Sequence, residues 1–320
     1  MKIAGIGAAV PERCIANTEV ERQLGLEAGW ALRRTGVRLR PVAAPDEATS
    51  DLAVRAGRAA LADAGINPHD VALLLLATST PDHPLPPTAP QVAHRLGLMR
   101  AGAVDLAAAC AGFVYGLALG EAMGRTMDAC VLVIGANVLS RRTDPRDPMT
   151  ATLFADGAGA AVLVPGKGIL GTYLGAHGEH WDEIFIAAGG SREPLTPEAI
   201  EAGRHLMQMR NGPELFRRAV RMMAQAGAKA LEAAQLDASR VDVWVPHQAN
   251  RRIIREAGKL LGISMERTVD IVERYGNSSA ATIPIALCVA RERGLLIRGQ
   301  IVLLTAVGAG LVSAGAVLRW

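Results

Sequence analysis

Seven continuous apolar runs, each bounded by turn residues, constrain the fold of this chain more than any other feature. They cover residues 2–9, 71–77, 130–136, 158–164, 241–245, 300–306 and 313–318. Strands that are apolar on both faces are typical of sheets covered on both sides. Segments with helix-start and helix-end residues lie between the runs, at 52–64, 214–235, 251–261 and 280–293. This alternation predicts an α/β protein built in layers.

The length of 320 residues is sufficient for two halves with a core in each, which we place at residues 1–166 and 167–320. The order of elements repeats between them. The first half has a strand, a helix that begins at Cys110 and a further strand. The second half has a strand before His247, a helix that begins near Asn277 and the strand at 300–306. If both copies fold alike, the turns at Cys110, His247 and Asn277 face a common centre. Chance similarity between α/β units is the alternative.

Charge and cysteine content bear on several classes of protein. The 34 basic and 31 acidic side chains give a net charge of +3, so composition does not support nucleic-acid binding. The four cysteines form no CxxC pair, so we expect no metal site, no disulfide framework and a cytoplasmic location. The N-terminus is a poor signal peptide. Residues 299–318 carry no charge, but their glycines favour two buried strands around a turn over a membrane span.

Cys110 is a candidate nucleophile because an apolar β-like run passes through three alanines and turns helical at this residue. The unpaired N–H groups and dipole of a helix N-terminus favour a thiolate over a thiol. The small neighbours Ala109, Ala111 and Gly112 leave room for an acyl group. The alternative is a cysteine that simply packs in the core, as most free cysteines do.

Four motifs spread along the chain are more specific than any single residue. They are VPHQAN at 245–250, YGNSSAATIP at 275–284, LFADGAGAAVL at 153–163, and Trp30 followed by RTG at 34–36. Together they strongly resemble the 3-oxoacyl-acyl-carrier-protein synthase III family over essentially the whole chain. LGLEAGW at 24–30, LATSTPDH at 76–83, ANVLSRR at 136–142 and LTAVGAG at 304–310 are most similar to the BioZ-type members, which make a pimeloyl precursor of biotin.

The resemblance implies a thiolase-like fold of two similar halves in a five-layer αβαβα arrangement, and usually a homodimer. It also implies a ping-pong decarboxylative Claisen condensation with no permanently bound cofactor. Cys110 would take the acyl group from a coenzyme A thioester, while His247 and Asn277 donate hydrogen bonds to the thioester carbonyl of phosphopantetheine-bound malonyl. The backbone N–H groups of Cys110 and Ala309 would form the oxyanion hole of the condensation step.

The resemblance assigns coenzyme A contacts to Trp30, Arg34 and Asn250, with the indole stacked on adenine and the guanidinium on phosphate. A tryptophan packed on a helix face is the alternative. The family usually has an Asp-Arg pair where Asp147-Pro148 stands, and an asparagine near Pro213, so these two contacts are in doubt.

Arg217, Arg252 and Lys259 coincide with family positions that receive the acidic acyl carrier protein. They belong to a group of basic residues on two predicted helices, and such a group is more often a solvated face. A local positive patch on a nearly neutral protein suits a transient encounter that is sensitive to salt.

The acyl pocket decides which member of the family this is. Leu85 stands where housekeeping members have phenylalanine. A five-carbon dicarboxylic acyl group, glutaryl, needs a cation or several donors for its far carboxylate, since burying that charge unpaired is prohibitive. The BioZ resemblance points to Ser79, Arg142 and Ser279, and ordinary surface charge after a strand is the alternative for Arg142.

The expected reaction joins glutaryl-CoA or glutaryl-carrier protein to malonyl-carrier protein, giving 3-oxopimeloyl-carrier protein. Three alternatives stay open. They are initiation of fatty-acid synthesis from acetyl-CoA, acyl transfer to an alcohol or amine without decarboxylation, and a non-catalytic module that docks the carrier protein. Retention of both His247 and Asn277 argues against transfer without decarboxylation.

Overall fold

Two main β-sheets separated and covered by helices, together with two small two-stranded sheets, make up the fold. The computed structural model describes all 320 residues. The strands are β1 Lys2–Ala9, β2 Cys14–Ala16, β3 Leu39–Pro41, β4 Val71–Ala77, β5 Gly102–Leu106, β6 Cys130–Val138, β7 Asp156–Val164, β8 Ile169–Ala176, β9 Ile184–Ile186, β10 Met207–Met209, β11 Val243–Pro246, β12 Ile301–Gly308 and β13 Val312–Arg319. The helices are α1 Asn17–Gln23, α2 Trp30–Thr35, α3 Thr49–Ala64, α4 Ala89–Leu96, α5 Gly112–Met127, α6 Pro148–Ala151, α7 Pro197–Glu201, α8 Gly212–Ala233, α9 Arg251–Leu261, α10 Val272–Tyr275 and α11 Thr282–Glu292.

The two main sheets share one topology. The first has the order β1-β7-β6-β4-β5 and the second has the order β8-β13-β12-β11. In each sheet a parallel pair, β4 with β6 or β11 with β12, is followed by two antiparallel pairings. A single parallel bridge between Trp244 and Thr268 occupies the place of a fifth strand in the second sheet. The predicted repeat of elements is therefore visible in the strand order.

The helices complete five layers. Helices α3 and α4 cover the outer face of the first sheet, and α8 covers the outer face of the second with α9 packed against it. Between the sheets, α5 contacts strands of both, and α11 contacts β1 and β7 of the first and β11 of the second. The α/β thiolase-like arrangement expected from the sequence is confirmed. The boundary at residue 166, in the turn between β7 and β8, stays a prediction.

The long uncharged stretch near the C-terminus forms a β-hairpin rather than a helix. Strands β12 and β13 pair antiparallel along their whole length, from Ile301 opposite Arg319 to Gly308 opposite Val312. The turn between them contains Ala309 and Gly310, and Gly310 has a φ of 130°, which favours glycine. None of the helices combines the length and the hydrophobicity that crossing a bilayer requires.

Candidate active site

One cavity of about 840 Å³ brings the three predicted catalytic side chains together. Cys110, His247 and Asn277 all line it, although they come from three separate turns. The exposed basic residues Arg34 and Arg252 lie on the same lining and mark its opening to solvent. The interior wall is largely apolar and includes Leu139, Ile184, Phe185, Met207, Met209, Leu215, Met222, Val307 and Leu311. The cavity can therefore accommodate a thioester that enters from the basic rim and reaches the cysteine.

Cys110 lies in a 3-10 turn, Ala109–Ala111, that leads directly into the central helix α5. Ala109 has a φ of 44°, an uncommon backbone conformation for a residue with a side chain. Gly308 at the end of β12 packs closely on this turn, because an added Cβ would be only 2.8 Å from the Cys110 nitrogen. Gly308 and Ala309 both line the cavity beside Cys110.

The protonation state of Cys110 differs from the sequence-based expectation. Burial raises the pKa of the Cys110 thiol to about 11, and the hydrogen bond from the Ser279 hydroxyl opposes that rise. The helix N-terminus was expected to favour a thiolate, and this expectation is wrong for the free protein. The reason is that desolvation of the charged form at the base of the cavity outweighs the local hydrogen bonds. The thiol is therefore the resting form of Cys110 in the free protein.

His247 follows β11 and is buried, and this burial lowers the pKa of its imidazole to about 3. The ring is therefore neutral. Its Nδ1 lies 2.6 Å from the hydroxyl oxygen of Thr282, and that hydroxyl donates to the Ser279 carbonyl at 3.0 Å. Because a carbonyl can only accept, the single Thr282 proton is used there and Nδ1 donates to Thr282. This arrangement leaves Nε2 as the free acceptor of His247.

The side-chain amide of Asn277 has a fixed orientation. Its Oδ1 accepts the N–H of Ser279 at 2.9 Å, so the amide nitrogen is on the other side. That nitrogen makes only a long contact of 3.4 Å to the Ala249 carbonyl. The backbone of Asn277 is held to the first half of the chain by a parallel bridge to Phe154. Asn277 therefore presents an N–H donor in the cavity.

The residues expected to bind coenzyme A form a connected group at the rim. The Arg34 guanidinium lies 5.4 Å from the centroid of the Trp30 ring. Asn250 is the N-cap of α9, where its Oδ1 accepts the Arg252 N–H at 2.8 Å, and its Nδ2 donates to the Arg34 carbonyl at 3.1 Å. Asn250 thus joins α9 to α2. Pro148 and Pro213, the two departures from the family pattern, also line the cavity.

Glu21 is a residue of this region that sequence reasoning missed. Its buried carboxylate accepts the N–H of Gly29 at 3.0 Å and that of Ala31 at 2.9 Å, on either side of Trp30. These bonds satisfy N–H groups at the start of α2 that the helix itself leaves without partners. A lone glutamate in α1 carries no sequence signal for such a role.

The three predicted docking residues lie on the adjacent helices α8 and α9. Arg217 pairs with Glu214 at 2.6 Å, and Lys259 pairs with Glu256 at 2.9 Å. The Arg252 guanidinium lies 5.1 Å from the centroid of the Phe216 ring. Arg217 and Arg252 line the cavity, whereas Lys259 does not.

The three residues expected to receive a far carboxylate do not converge in this chain. Ser79 and Ser279 line the cavity, but Arg142 is exposed and lies outside its lining. The 3-10 turn Leu139–Arg141 places the side chain of Leu139 in the cavity wall. The side chain of Arg142, which follows this turn, is instead in solvent, where its charge stays hydrated. Leu85, expected at the pocket floor, is 83% exposed and also lies outside the lining.

Comparisons with known proteins agree with this geometry. Residues 104–178 match the family described as 3-Oxoacyl-[acyl-carrier-protein (ACP)] synthase III, and residues 231–320 match its C-terminal part. The chain is 59% identical to the 3-oxopimeloyl-[acyl-carrier-protein] synthase of Rhodothermus marinus, with coverage of 99% of this chain and 93% of the relative. It is 45% identical to the Beta-ketoacyl-[acyl-carrier-protein] synthase III of Symbiobacterium thermophilum, with coverage of 99% and 97%. The crystal structure of 3-oxoacyl-[acyl-carrier-protein] synthase III from Aquifex aeolicus superposes with a TM-score of 0.91 at 35% identity, covering 100% of this chain and 99% of that one.

Proposed function

Because this chain belongs to the 3-oxoacyl-[acyl-carrier-protein] synthase III family of condensing acyltransferases, we propose that it makes 3-oxopimeloyl-carrier protein for biotin synthesis. The acyl donor would be glutaryl-CoA or glutaryl-carrier protein, and the extender would be malonyl-carrier protein. The observation that carries this proposal is the 59% identity, over 99% of the chain, to a relative named 3-oxopimeloyl synthase. The meeting of Cys110, His247 and Asn277 in one cavity supports the condensing chemistry.

In the first half-reaction the Cys110 sulfur attacks the acyl thioester. With the thiol pKa at about 11 and the imidazole pKa at about 3, a preformed thiolate–imidazolium pair is disfavoured. The proton therefore moves to Nε2 of His247 as the carbon–sulfur bond forms. Coenzyme A leaves with the proton that His247 has accepted, so the ring returns to its neutral form and the acyl group remains on Cys110.

In the second half-reaction malonyl-carrier protein occupies the vacated cavity. The amide of Asn277 donates to its thioester carbonyl, and Nε2 of His247 donates to the same oxygen once it has taken up a proton from solvent as negative charge develops there. Both hydrogen bonds stabilise the enolate that forms as carbon dioxide leaves. The enolate carbon attacks the acyl-Cys110 carbonyl, whose oxyanion is met by the N–H groups of Cys110 and Ala309. The carbon–sulfur bond then breaks, Cys110 recovers its proton from His247, and the 3-oxoacyl product stays on the carrier protein.

The basic rim suits both thioester substrates. The Trp30 ring and the Arg34 guanidinium form a cation–π pair, and this pair fits the nucleotide end of coenzyme A. Arg217, Arg252 and Lys259 would receive the acidic carrier protein. We further propose a homodimer, since Leu85 is 83% exposed and β5 is an unpaired edge of the first sheet. A cytoplasmic location is proposed because all four cysteines are free thiols.

A second candidate function is the initiation of fatty-acid synthesis from acetyl-CoA. The apolar interior wall of the cavity and the exposed position of Arg142 favour it, because neither provides a buried partner for a second carboxylate. The relative named Beta-ketoacyl synthase III, at 45% identity, is consistent with it.

A panel of acyl-CoA substrates tests the proposal. Purified protein is incubated with malonyl-carrier protein and either glutaryl-CoA or acetyl-CoA, and product mass and released carbon dioxide are measured. A higher kcat/KM with glutaryl-CoA supports the biotin-pathway role, and a preference for acetyl-CoA supports initiation. Acyl transfer without carbon dioxide release would point to an acyltransferase that does not decarboxylate. If no adduct forms on Cys110 of the folded protein, a docking module is favoured.

A further inference from the structure

Ser279 is tied to each of the three side chains that carry the chemistry. Its hydroxyl donates to the sulfur of Cys110 at 3.3 Å, and its backbone N–H donates to Oδ1 of Asn277 at 2.9 Å. Its carbonyl accepts from the Thr282 hydroxyl at 3.0 Å, and Thr282 is the partner of His247 Nδ1. The side chain therefore lies at the reacting end of the cavity, beside the sulfur, where the far end of an acyl chain would not lie.

The backbone of Ser279 explains how the hydroxyl reaches the sulfur. Ser279 has a φ of 56° and is the first residue of the 3-10 turn Ser279–Ala281, which leads into α11. Ala109 has a φ of 44° and is the first residue of the corresponding turn before α5. The two halves thus repeat one uncommon turn, and the second half places a hydroxyl where the first has a methyl group. Hydrogen bonds on its N–H and its carbonyl hold Ser279 in this conformation.

A hydroxyl in this position acts on the charged form of the sulfur. Cys110 is only partly exposed and lines the cavity, so an acyl chain that fills the cavity would keep water away from the sulfur during the reaction. A donor held at 3.3 Å strengthens as negative charge develops on its acceptor, because charge-assisted hydrogen bonds are stronger than neutral ones.

We propose that Ser279 is a catalytic residue whose hydroxyl donates a hydrogen bond to the Cys110 sulfur whenever that sulfur carries negative charge. This role deepens the condensing function proposed above. The charge develops twice: when the S–H proton passes to His247 as the new carbon–sulfur bond forms, and when that bond breaks and sulfur leaves with the electron pair. The Ser279 proton stays on its oxygen throughout, so the hydroxyl is neither consumed nor acylated.

The test is the rate at which iodoacetamide alkylates Cys110 at pH 8, resolved by peptide mass spectrometry. In Ser279→Ala the rate should fall about tenfold, because the thiolate fraction falls with the loss of a hydrogen bond to a charged group. Cys14, which is exposed, is an internal reference whose rate should not change. Thr152→Val is the matched control, since Thr152 lines the same cavity but its hydroxyl donates to the Pro148 carbonyl rather than to the sulfur. An unchanged Cys110 rate in Ser279→Ala would overturn the proposal.

Two further measurements separate the hydroxyl from other roles of the residue. Ser279→Gly relieves the backbone strain and also lacks the hydroxyl, so it should be as slow as Ser279→Ala; a wild-type rate would assign the effect to strain. Acylation of Ser279→Ala by acetyl-CoA and by glutaryl-CoA should fall by the same factor. Loss confined to glutaryl-CoA would instead make Ser279 a carboxylate receptor. Alkylation needs no substrate, so a wild-type protein that fails to use glutaryl-CoA would refute only the substrate proposal.

Discussion

The hydroxyl of Thr282 lies 2.6 Å from Nδ1 of His247 and fixes which ring nitrogen carries the proton. Thr282 is the first residue of α11 and is buried, so no solvent competes for this contact. Its proton goes to the Ser279 carbonyl, and it also accepts the N–H of Gln248 at 3.3 Å. Every hydrogen-bonding position on the hydroxyl is therefore used, and Nε2 of His247 is left free to accept the Cys110 proton.

Replacing Thr282 with valine should lower kcat about tenfold and leave KM for the acyl-CoA nearly unchanged. Valine keeps the shape of threonine but leaves Nδ1 of His247 without a buried partner, so the tautomer is no longer fixed. Steady-state kinetics with malonyl-carrier protein measure the effect. Thr282→Ser retains the hydroxyl and should keep most of the activity. Equal loss in both variants would mean that packing by the methyl group, rather than the hydrogen bond, is what matters.

The burial of His247 makes folding stability depend on acid. Its pKa is about 3 in the folded protein, against 6.5 for an ordinary histidine, so the unfolded chain binds more protons between those values. Stability contributed by the neutral ring is present above pH 6.5 and is lost as the pH falls toward 3. Between pH 6.5 and pH 5 this one group should cost about 2 kcal/mol.

Urea unfolding at several pH values measures this dependence, and His247→Gln is the matched variant because it cannot titrate. Its stability should fall less than that of the wild type between pH 6.5 and pH 5. On the alkaline side, burial raises the pKa of the Cys288 thiol to about 12 and that of Cys110 to about 11. As the pH rises, the unfolded chain therefore loses these thiol protons at a lower pH than the folded protein does, so folding stability should also fall above pH 9. If the stabilities of the wild type and of His247→Gln instead fell equally between pH 6.5 and pH 5, the assignment of the acid dependence to His247 would be contradicted.

Glu21 stabilises the rim of the cavity by bonding to backbone N–H groups rather than by contacting the substrate. Because its carboxylate holds the N–H groups of Gly29 and Ala31, Glu21→Gln should loosen the start of α2 and with it Trp30. We expect KM for acyl-CoA to rise about fivefold, by analogy with the loss of a helix cap, with little change in kcat. Steady-state kinetics as a function of acyl-CoA concentration separate the two constants. Glu27→Gln is the control, since Glu27 is an exposed residue paired only with Arg33 at the surface; a similar rise there would refute the role of Glu21.

The parts of the site that could be predicted from sequence are those carried by local patterns. Cys110 and His247 each follow an apolar run, His247 and Asn277 each stand in a specific motif, and strands of one repeated unit bring such turns to one centre. Thr282 and Glu21 could not be found in this way. Their roles depend on contacts across 35 and 10 residues with backbone or ring atoms, and such contacts leave no periodic pattern.

The charge state of Cys110 and the exposure of Arg142 are two points at which the structure differs from what the sequence patterns suggest. Both depend on how deeply a side chain is buried. Composition and spacing describe the helix N-terminus beside Cys110 and the positive charge of Arg142 correctly. They contain no measure of the water that each group loses.

Arg142 remains the sharpest test of the acyl substrate, because its neighbours are fixed in place. The Ser140 N–H and hydroxyl both donate to the buried Asp156 carboxylate, at 2.8 and 2.6 Å. Arg141 donates to three backbone carbonyls, of which the Glu47 carbonyl is the nearest at 2.7 Å. Arg142 is exposed, and its backbone is held at both groups: its N–H donates to the Leu139 carbonyl at 2.8 Å and its carbonyl accepts the Met207 N–H at 2.7 Å, whereas its side chain makes no hydrogen bond. Since Met207 lines the cavity, the backbone of Arg142 is one hydrogen bond away from the cavity wall, and the Arg142 side chain is the cation of this segment that no neighbour holds.

Arg142→Ala should therefore lower kcat/KM for glutaryl-CoA about tenfold or more and leave that for acetyl-CoA unchanged. Without the Arg142 charge, the far carboxylate of glutaryl would be desolvated in a largely apolar cavity with no ion-pair partner to offset the free-energy cost. An acetyl group carries no charge, so the same substitution should not affect it. Arg142→Lys keeps the charge without the planar fork and should recover part of the activity. The measurement is competition between the two acyl-CoA substrates in one reaction, which cancels errors in enzyme concentration. Equal loss on both substrates would show that Arg142 supports the fold of the segment, and no loss on either would leave the apolar pocket to a monocarboxylic acyl group.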